Sequence, residues 1–241
     1  FGIGAWNNLA IVEDRKSNVW ICILTAGACR YNRDADTFTR FQHDPNDLAS
    51  LSSDNVVSIS KDNHGDIWIS TTNGINHFIE ETQSFEHYFH HADNPKSLAS
   101  DYCFYVCQDR SSLYWITHAL GLDQFDATTN TFFHFKYHPD DPSSLSSADE
   151  RLPVYEDHFG RLWILVQGDP CGINIHDPQT NRFHRYLSNY NDPRAFQGEG
   201  FYFCGSDRTG TLWIGSRNQT INRVYPNTNP FLTLEKSNLF P

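Results

Sequence analysis

The chain has 241 residues, with 18 Lys and Arg against 29 Asp and Glu, for a formal net charge of −11. That balance argues against a nucleic-acid partner, whose phosphates need Lys and Arg. No apolar run approaches the roughly 18 residues of a transmembrane helix, and aromatic residues reach 15% while Met is absent, which suits flat, rigid sheet packing. No signal peptide is legible and the chain opens at Phe1, so it reads as a mature or excised segment.

Trp20-Ile21 begins a series that returns at Trp68-Ile69, Trp115-Ile116, Trp163-Ile164 and Trp213-Ile214, at intervals of 48, 47, 48 and 50 residues. Five copies of a strand-rich unit of this length predict an all-β fold, a β-propeller of five four-stranded antiparallel blades. The first unit is marked by Ile11, Asp14, Ser17, Trp20, Phe38 and Phe41. The second repeats these as Ile59, Asp62, Gly65, Trp68, Phe85 and Tyr88, and the third as Val106, Asp109, Ser112, Trp115, Phe132 and Phe135. The fourth has Val154, Asp157, Gly160, Trp163, Phe183 and Tyr186, and the fifth has Cys204, Asp207, Gly210, Trp213, Phe231 and Leu234. Leu51, Leu98, Leu145 and Phe196 recur in the segments that join the units. The predicted blades are 1–44, 45–91, 92–138, 139–189 and 190–241 of a single propeller. They are whole units, so a closed or near-closed ring needs no strand borrowed across its closure; a segment of a larger sensor is the other possibility.

The second unit shows how a blade is built. Val56–Lys61 reads as its first strand, and Asp62-Asn63-His64-Gly65 as a turn in which Asp bonds its own downstream backbone and Gly permits positive φ. Asp66–Thr71 is the second strand, Asn73-Gly74 a tight turn, Ile75–Ile79 the third strand and Ser84–Phe89 the fourth. His90–Ser100 crosses to the next unit. The repeated Trp occupies one strand position in every unit, which predicts packing between blades rather than binding. The same symmetry makes the repeated Asp a turn former.

The six cysteines form no metal signature. Cys103 and Cys107 share a strand and lie about 13 Å apart at ~3.3 Å per residue, too far for a disulfide. Cys22 and Cys29 flank a predicted hairpin; a bridge across it is open, with buried free thiols the simpler reading. Glu86-His87-Tyr88-Phe89-His90-His91 has the look of a metal cluster, but neighbours on a strand point to opposite faces, so an outer strand without metal is expected. No phosphate loop, metalloprotease helix or nucleophile elbow occurs, and no cofactor is expected.

The string Asp-x-x-Gly-x-[Ile/Leu]-Trp-Ile-x-Thr, then Gly-[Ile/Leu], Phe-x-x-[Phe/Tyr] and Pro-x-Ser-Leu-x-Ser, resembles the two-component regulator propeller repeat. Residues 62–78, Asp126–Phe132 and Asp141–Ser147 carry the resemblance most faithfully; blade five departs from it, with Arg217 to Ile221 in place of the Gly-Leu turn. The resemblance implies an extracytoplasmic or periplasmic sensor part of a bacterial hybrid histidine kinase or related signalling protein, with oligosaccharide ligands in many members. Contact with a membrane would come only through domains absent from this chain.

Candidate ligand residues follow from propeller geometry. Fourteen residues before each repeated Trp, where an innermost strand begins, stand Trp6, Asp54, Asp101, Asp149 and Glu199. Carboxylates accept hydrogen bonds from sugar hydroxyls and an exposed Trp stacks on a pyranose; the same acids could instead cap the crossing loop. Four residues after the repeated Trp come Leu24, Thr72, Ala119, Gln167 and Arg217, with His118 and Asn218 adjacent. A varied polar set on a regular scaffold is what a specific site requires, although loop drift produces the same variety. Arg217, a cation, could clamp an anionic group or pair with Glu199. Three readings result: a non-catalytic binding or sensor propeller for a small molecule or oligosaccharide, with self-association possible; a five-bladed glycosidase-like enzyme; or a scaffold without ligand. A repeat-locked ring gives its acids similar environments, whereas glycosidases need two carboxylates tuned apart, so binding is favoured over catalysis.

Overall fold

The structure, a computed structural model, describes residues 11–23, 25–147, 154–157, 160–167, 171–189, 191–192, 195, 200–209, 211–217, 220–224 and 231–235. Blade 1 contains β1 (Ile11–Glu13), β2 (Val19–Ile23), β3 (Gly27–Asn32) and β4 (Thr37–Phe41). Blade 2 contains β5 (Val56–Lys61), β6 (Ile67–Thr71), β7 (Gly74–Ile79) and β8 (Ser84–Tyr88). Blade 3 contains β9 (Cys103–Gln108), β10 (Tyr114–His118), β11 (Gly121–Asp126) and β12 (Thr131–Phe135). Blade 4 contains β13 (Val154–Glu156), β14 (Leu162–Val166), β15 (Gly172–Asp177) and β16 (Arg182–Leu187). Blade 5 contains β17 (Phe201–Ser206), β18 (Leu212–Ser216), β19 (Thr220–Val224) and β20 (Phe231–Glu235). Each sheet takes its four strands from consecutive sequence, with neighbours in chain order and none borrowed. These are the five antiparallel blades expected of a propeller, and no helix occurs among the described residues.

The chain divides at His134–Phe135 into two compact units. In the first unit, strand alternation gives each blade one face toward the next blade (its trailing face) and one toward the previous blade (its leading face). Trp20, Cys22 and Ala28 on the trailing face of blade 1 pack against Ile59, Ile67, Ile69, Phe78 and Phe85 on the leading face of blade 2. The Trp20 ring meets Phe78 edge-on at 4.7 Å. Blade 2 repeats the pattern: Trp68 lies 4.4 Å from Tyr114 of blade 3, in a cluster with Val106, Ile116, Phe125 and Phe132. In the second unit, Trp163 packs with Leu212, Ile214 and Val224 of blade 5, and Phe135 meets Phe183 edge-on at 5.3 Å. Trp20, Trp68, Trp115 and Trp163 are at most 2% exposed, as expected of interblade packing; Trp213 is only partly buried.

The repeated Asp and the repeated Trp are bonded to each other. The indole Nε1 donates to the carboxylate six residues earlier in all five blades: Trp20 to Asp14 at 2.9 Å, Trp68 to Asp62 at 3.2 Å, Trp115 to Asp109 at 2.7 Å, Trp163 to Asp157 at 2.9 Å and Trp213 to Asp207 at 3.0 Å. The other carboxylate oxygen accepts turn amides, for example those of His64 and Asp66 at 2.9 Å each on Asp62. A carboxylate has about four lone-pair sites, and this one distributes them between the turn and the indole. The turn also explains the Gly-or-Ser position three before the Trp. Gly65, Gly160, Ser17 and Ser112 all take φ between 61° and 81°, where Gly has no steric penalty.

Register resolves the question of a disulfide in blade 1. In the hairpin of blade 1, Cys22 pairs with Ala28 and Cys29 with Ile21. The two cysteines therefore lie on opposite faces and no bridge forms; both are free thiols. The histidines of the 86–91 stretch pin the crossing loops: His87 Nε2 lies 2.8 Å from the Ser50 carbonyl and His90 Nδ1 2.8 Å from that of Leu98.

The third strand holds a second internal anchor. Asn76 Oδ1 accepts the Ser52 amide at 2.8 Å, and Asn174 Oδ1 accepts that of Ser146 at 3.2 Å. Blade 3 has Asp123 at this position, fully buried, and its Oδ2 accepts the Ala99 amide at 2.9 Å. The extra charge is met by two imidazoles: His134 Nδ1 lies 2.7 Å from Asp123 Oδ1, and His118 Nε2 lies 3.0 Å from it but off the line of a hydrogen bond. Burial alone would raise the Asp123 pKa; the nearby His118 imidazole, the His134 hydrogen bond and the Ala99 amide outweigh it and hold the group below its ordinary value. Asp14 and Asp157 are lowered in the same way, burial being outweighed by hydrogen bonds. The Thr209 hydroxyl and then Trp213 bring Asp207 down to about 2.

A folded-state pKa below the unfolded one gives stability that is present above the unfolded pKa and lost as pH falls through the folded pKa. Acid unfolding is therefore expected below about pH 4, the unfolded range of Asp, and to deepen toward pH 2. Asp123→Asn keeps the acceptor used in blades 2 and 4 but does not titrate. Its urea midpoint is expected to fall less steeply with acid than that of the wild type; parallel curves would show that Asp123 makes no contribution to the acid response.

Candidate functional site

Two of the acids at the starts of innermost strands can be placed. Asp54 is half-buried two residues before β5. Its Oδ1 accepts the His43 amide at 2.9 Å, and its carbonyl accepts the Gly27 amide of the blade 1 hairpin at 3.1 Å. Asp101 repeats both bonds one blade on, with its Oδ1 2.6 Å from the His90 amide and its carbonyl 2.6 Å from the Gly74 amide. Each acid thus ties the crossing loop before its own blade to the inner hairpin of the previous one, while remaining partly exposed. The glycine that opens β3 is required by the strand beside it: a Cβ on Gly27 would stand 2.2 Å from the Phe41 carbonyl oxygen of β4. Trp6, Asp149, Glu199 and Asn218 lie outside the described residues.

The turn positions after β6, β10, β14 and β18 differ as the sequence does. Thr71 pairs with Gly74, leaving Thr72 and Asn73 as a two-residue loop. Thr72 is half-buried, its Oγ1 3.4 Å from Ser53 Oγ. In the second unit, Gln167 is 5% exposed and donates to the Phe201 carbonyl at 3.4 Å. The Arg217 side chain is exposed and its amide donates to the Gly200 carbonyl at 3.1 Å. A Cβ on Gly200 would meet Arg217 Cδ at 3.2 Å and Gln167 Oε1 at 3.7 Å, so these two side chains converge there. His118 does not join the exposed turn. It is the last residue of β10, 0% exposed, and strand parity turns its ring inward to Asp123. Leu120 donates its amide to His118 Nδ1 at 3.1 Å, which fixes the ring further.

Residues 50–73 match the family described as "Two component regulator propeller". Blade 2 carries the two-component regulator propeller repeat. Among solved structures, the chain is similar over 98% of its length to the extracellular domain of a protein described as a hybrid two-component system, BT3049 of B. thetaiotaomicron, at 21% identity and a TM-score of 0.75. A second such domain, from BT4673 of the same organism, is similar at 20% identity over 95% of the chain, with a TM-score of 0.75. The chain spans only 29% and 31% of those two proteins. The virginiamycin B lyase of Staphylococcus aureus is similar at 13% identity over 98% of this chain and 72% of its own, with a TM-score of 0.68. At these identities the likeness is one of fold. No curated protein matches the sequence.

In the propeller repeat of blade 3, one exposed aromatic stands beside a candidate acid. Tyr102 follows Asp101, is 47% exposed and leans on Phe104 with ring centroids 5.1 Å apart. Its carbonyl accepts the Ala119 amide at 2.9 Å, which brings it to the two-residue turn holding exposed Leu120. The sequence signal was an aromatic where blade 2 has Asn55. A cation is a poorer fit to the first unit. Asp62, Asp66 and His77 offer ligand atoms within 4.8 Å of one another. Yet Asp62 already accepts four hydrogen bonds, from two turn amides, Trp68 and Tyr114, and Asp66 is paired with Arg15 at 3.1 Å.

Proposed function

We propose that this chain is a non-catalytic, extracytoplasmic sensor propeller of a bacterial two-component system, and that it recognises a soluble small molecule of the oligosaccharide class. The observation that carries this reading is the regulator-propeller repeat at residues 50–73, set in a fold similar along nearly the whole chain to extracellular domains of such systems. The proposed contacts in the first unit are Thr72, Asp54 and Asp101, with Tyr102 as the stacking face. In the second unit they are Gln167 and Arg217. Trp6, Asp149, Glu199 and Asn218 occupy equivalent places in the repeat. An exposed phenol face suits a pyranose, while partly exposed carboxylates and amides suit its hydroxyls.

The hydrogen bonding of the acids favours binding over hydrolysis. Asp54 and Asp101 make the same bonds in the same setting, each accepting a crossing-loop amide. A glycosidase needs one carboxyl tuned as acid and another as base or nucleophile, and equal environments do not separate them. Calorimetric titration with neutral and acidic oligosaccharides tests the reading. Tyr102→Ala is expected to weaken a neutral ligand by about 0.5–1.5 kcal/mol, the scale of an aromatic contact, and Arg217→Ala to weaken acidic ligands selectively. A ligand whose affinity neither change alters would place the site elsewhere. No binding by any member of the panel would leave the scaffold reading.

A further inference from the structure

The buried carboxylate of blade 3 fixes the protonation of the two histidines around it. The His134 side chain, on β12, is 25% exposed and has an acceptor at each ring nitrogen. Asp123 Oδ1 lies 2.7 Å from Nδ1, and the Pro95 carbonyl oxygen lies 2.9 Å from Nε2. A neutral imidazole has one N–H and one lone pair, so it satisfies only one of the two. The carbonyl has no proton to give. Asp123 is held ionised: its Oδ2 accepts the Ala99 amide, and His118 Nε2 stands 3.0 Å from its Oδ1. The His118 tautomer is set from the far side of that ring. Leu120 donates its amide to Nδ1, so Nδ1 carries the lone pair and the proton is on Nε2, toward Asp123. Cys103 on β9 pairs with His118 and stays a thiol, held protonated first by burial and then by the Asp123 and Asp101 charges. Asp93 and Lys96 stand near Pro95 in the crossing loop and Lys136 just past β12; all three are exposed, where water and salt screen them.

We infer that His134 is an imidazolium ion at neutral pH and forms with Asp123 a proton-dependent latch on the loop that enters blade 3. The latch holds that loop at two points, Pro95 through His134 and Ala99 through Asp123. Blades 2 and 4 hold their loops without such a pair. The repeat position of Asp123 is Asn76 in blade 2 and Asn174 in blade 4, and the residues paired with these are His87 and Arg185. His87 meets one carbonyl, that of Ser50, and its burial favours the neutral ring. Arg185 reaches the carbonyls of Asp141, Ser144 and Leu145 with a guanidinium that stays charged at every pH. Only the blade 3 arrangement, among these three, needs a proton on a group that can lose it near neutrality. A histidine that gains a carboxylate partner on folding gives stability that is complete below the unfolded value, about 6.5, and is lost as pH rises through the folded one. Protonation of Asp123 opens the same latch from the acid side. The latch is independent of the ligand reading.

The test follows the ring nitrogens of the histidines by NMR in the nitrogen-15-labelled 241-residue chain as pH is raised from the acid to the alkaline side of neutrality. The His134 signals are identified by their loss in His134→Arg. At neutral pH both His134 nitrogens are expected to carry protons, and Asp123→Asn is expected to lower the proton affinity of the ring by about tenfold or more, one pKa unit. Amide exchange gives the second readout. The Phe132 amide donates to the Lys96 carbonyl beside Pro95, and the Phe85 amide makes the same bond to Ala49 in blade 2. Protection of Phe132 is expected to fall by about tenfold relative to Phe85 as His134 loses its proton, and His134→Arg, a cation throughout, is expected to abolish that fall. A His134 ring that is neutral at neutral pH overturns the assignment. A charged ring whose titration leaves Phe132 as protected as Phe85 overturns the latch. If His134→Arg does not fold, Asp123→Asn decides: an unchanged fall at an unchanged pH overturns the proposal, and a fall shifted to lower pH supports it.

Discussion

Trp68→Ala is expected to destabilise the fold by about 3–5 kcal/mol, the range of large aromatic truncations in a packed core. The indole is 2% exposed and lies against Tyr114, Tyr88 and His77 with ring centroids 4.4, 5.7 and 4.5 Å away. Its removal leaves a void between blades 2 and 3 that two β-sheets cannot collapse to fill. Trp163→Ala is expected to behave alike, since Trp163 is equally buried between blades 4 and 5. Trp213→Ala should cost less, because Trp213 is only partly buried. Urea denaturation of the three variants checks the order. An unchanged midpoint for Trp68→Ala would remove these tryptophans from the core.

Asp62→Ala should be the most damaging of the changes at the repeated aspartates. Asp62 accepts the Trp68 indole at 3.2 Å and also a tyrosine from the next blade, Tyr114 Oη at 3.0 Å. Alanine strands both donors in a buried setting, at about 1–3 kcal/mol each. The amides of His64 and Asp66 lose their acceptor too, though these sit nearer the surface. Tyr114 is itself held strongly protonated, first by burial and then by the Asp62 charge beside it, so it stays a donor. Tyr114→Phe removes the same link without stranding a donor and is expected to cost much less. A loss for Asp62→Ala no greater than that for Asp207→Ala, measured by urea midpoint, would show that the interblade bond adds nothing.

The repeat made most of the fold legible. Phase alone gave five blades of four strands, and in blade 2 the predicted first strand, Val56–Lys61, has its observed bounds. What phase could not supply was the difference between copies. Phe38 and Phe85 occupy one repeat position and read identically, yet Phe38 is 67% exposed and Phe85 5%. His118 was placed with the exposed turn because it adjoins Ala119, but strand parity governs it: as the residue paired with Gly121 it ends the strand and faces Asp123. The bond between the repeated Asp and Trp was foreshadowed by their constant six-residue separation across a four-residue turn. The capping role of Asp54 and Asp101 had its own signal, a histidine eleven residues earlier in both copies, His43 and His90. The ligand positions remained least legible, because a propeller varies its loop chemistry without disturbing the frame that would announce it.

The pairing of indole with carboxylate has a consequence for how the chain reaches its native state. The two partners are six residues apart in every blade, so the bond closes a loop whose entropic cost is small. The corner of each blade can therefore form within its own hairpin, on the microsecond scale of hairpin formation, before any neighbouring blade exists to cover the tryptophan. Long-range order then grows by docking corners that are already made, one blade on the next, in the manner of a one-dimensional array. A chain assembled this way can gain or lose a blade without relearning how to fold.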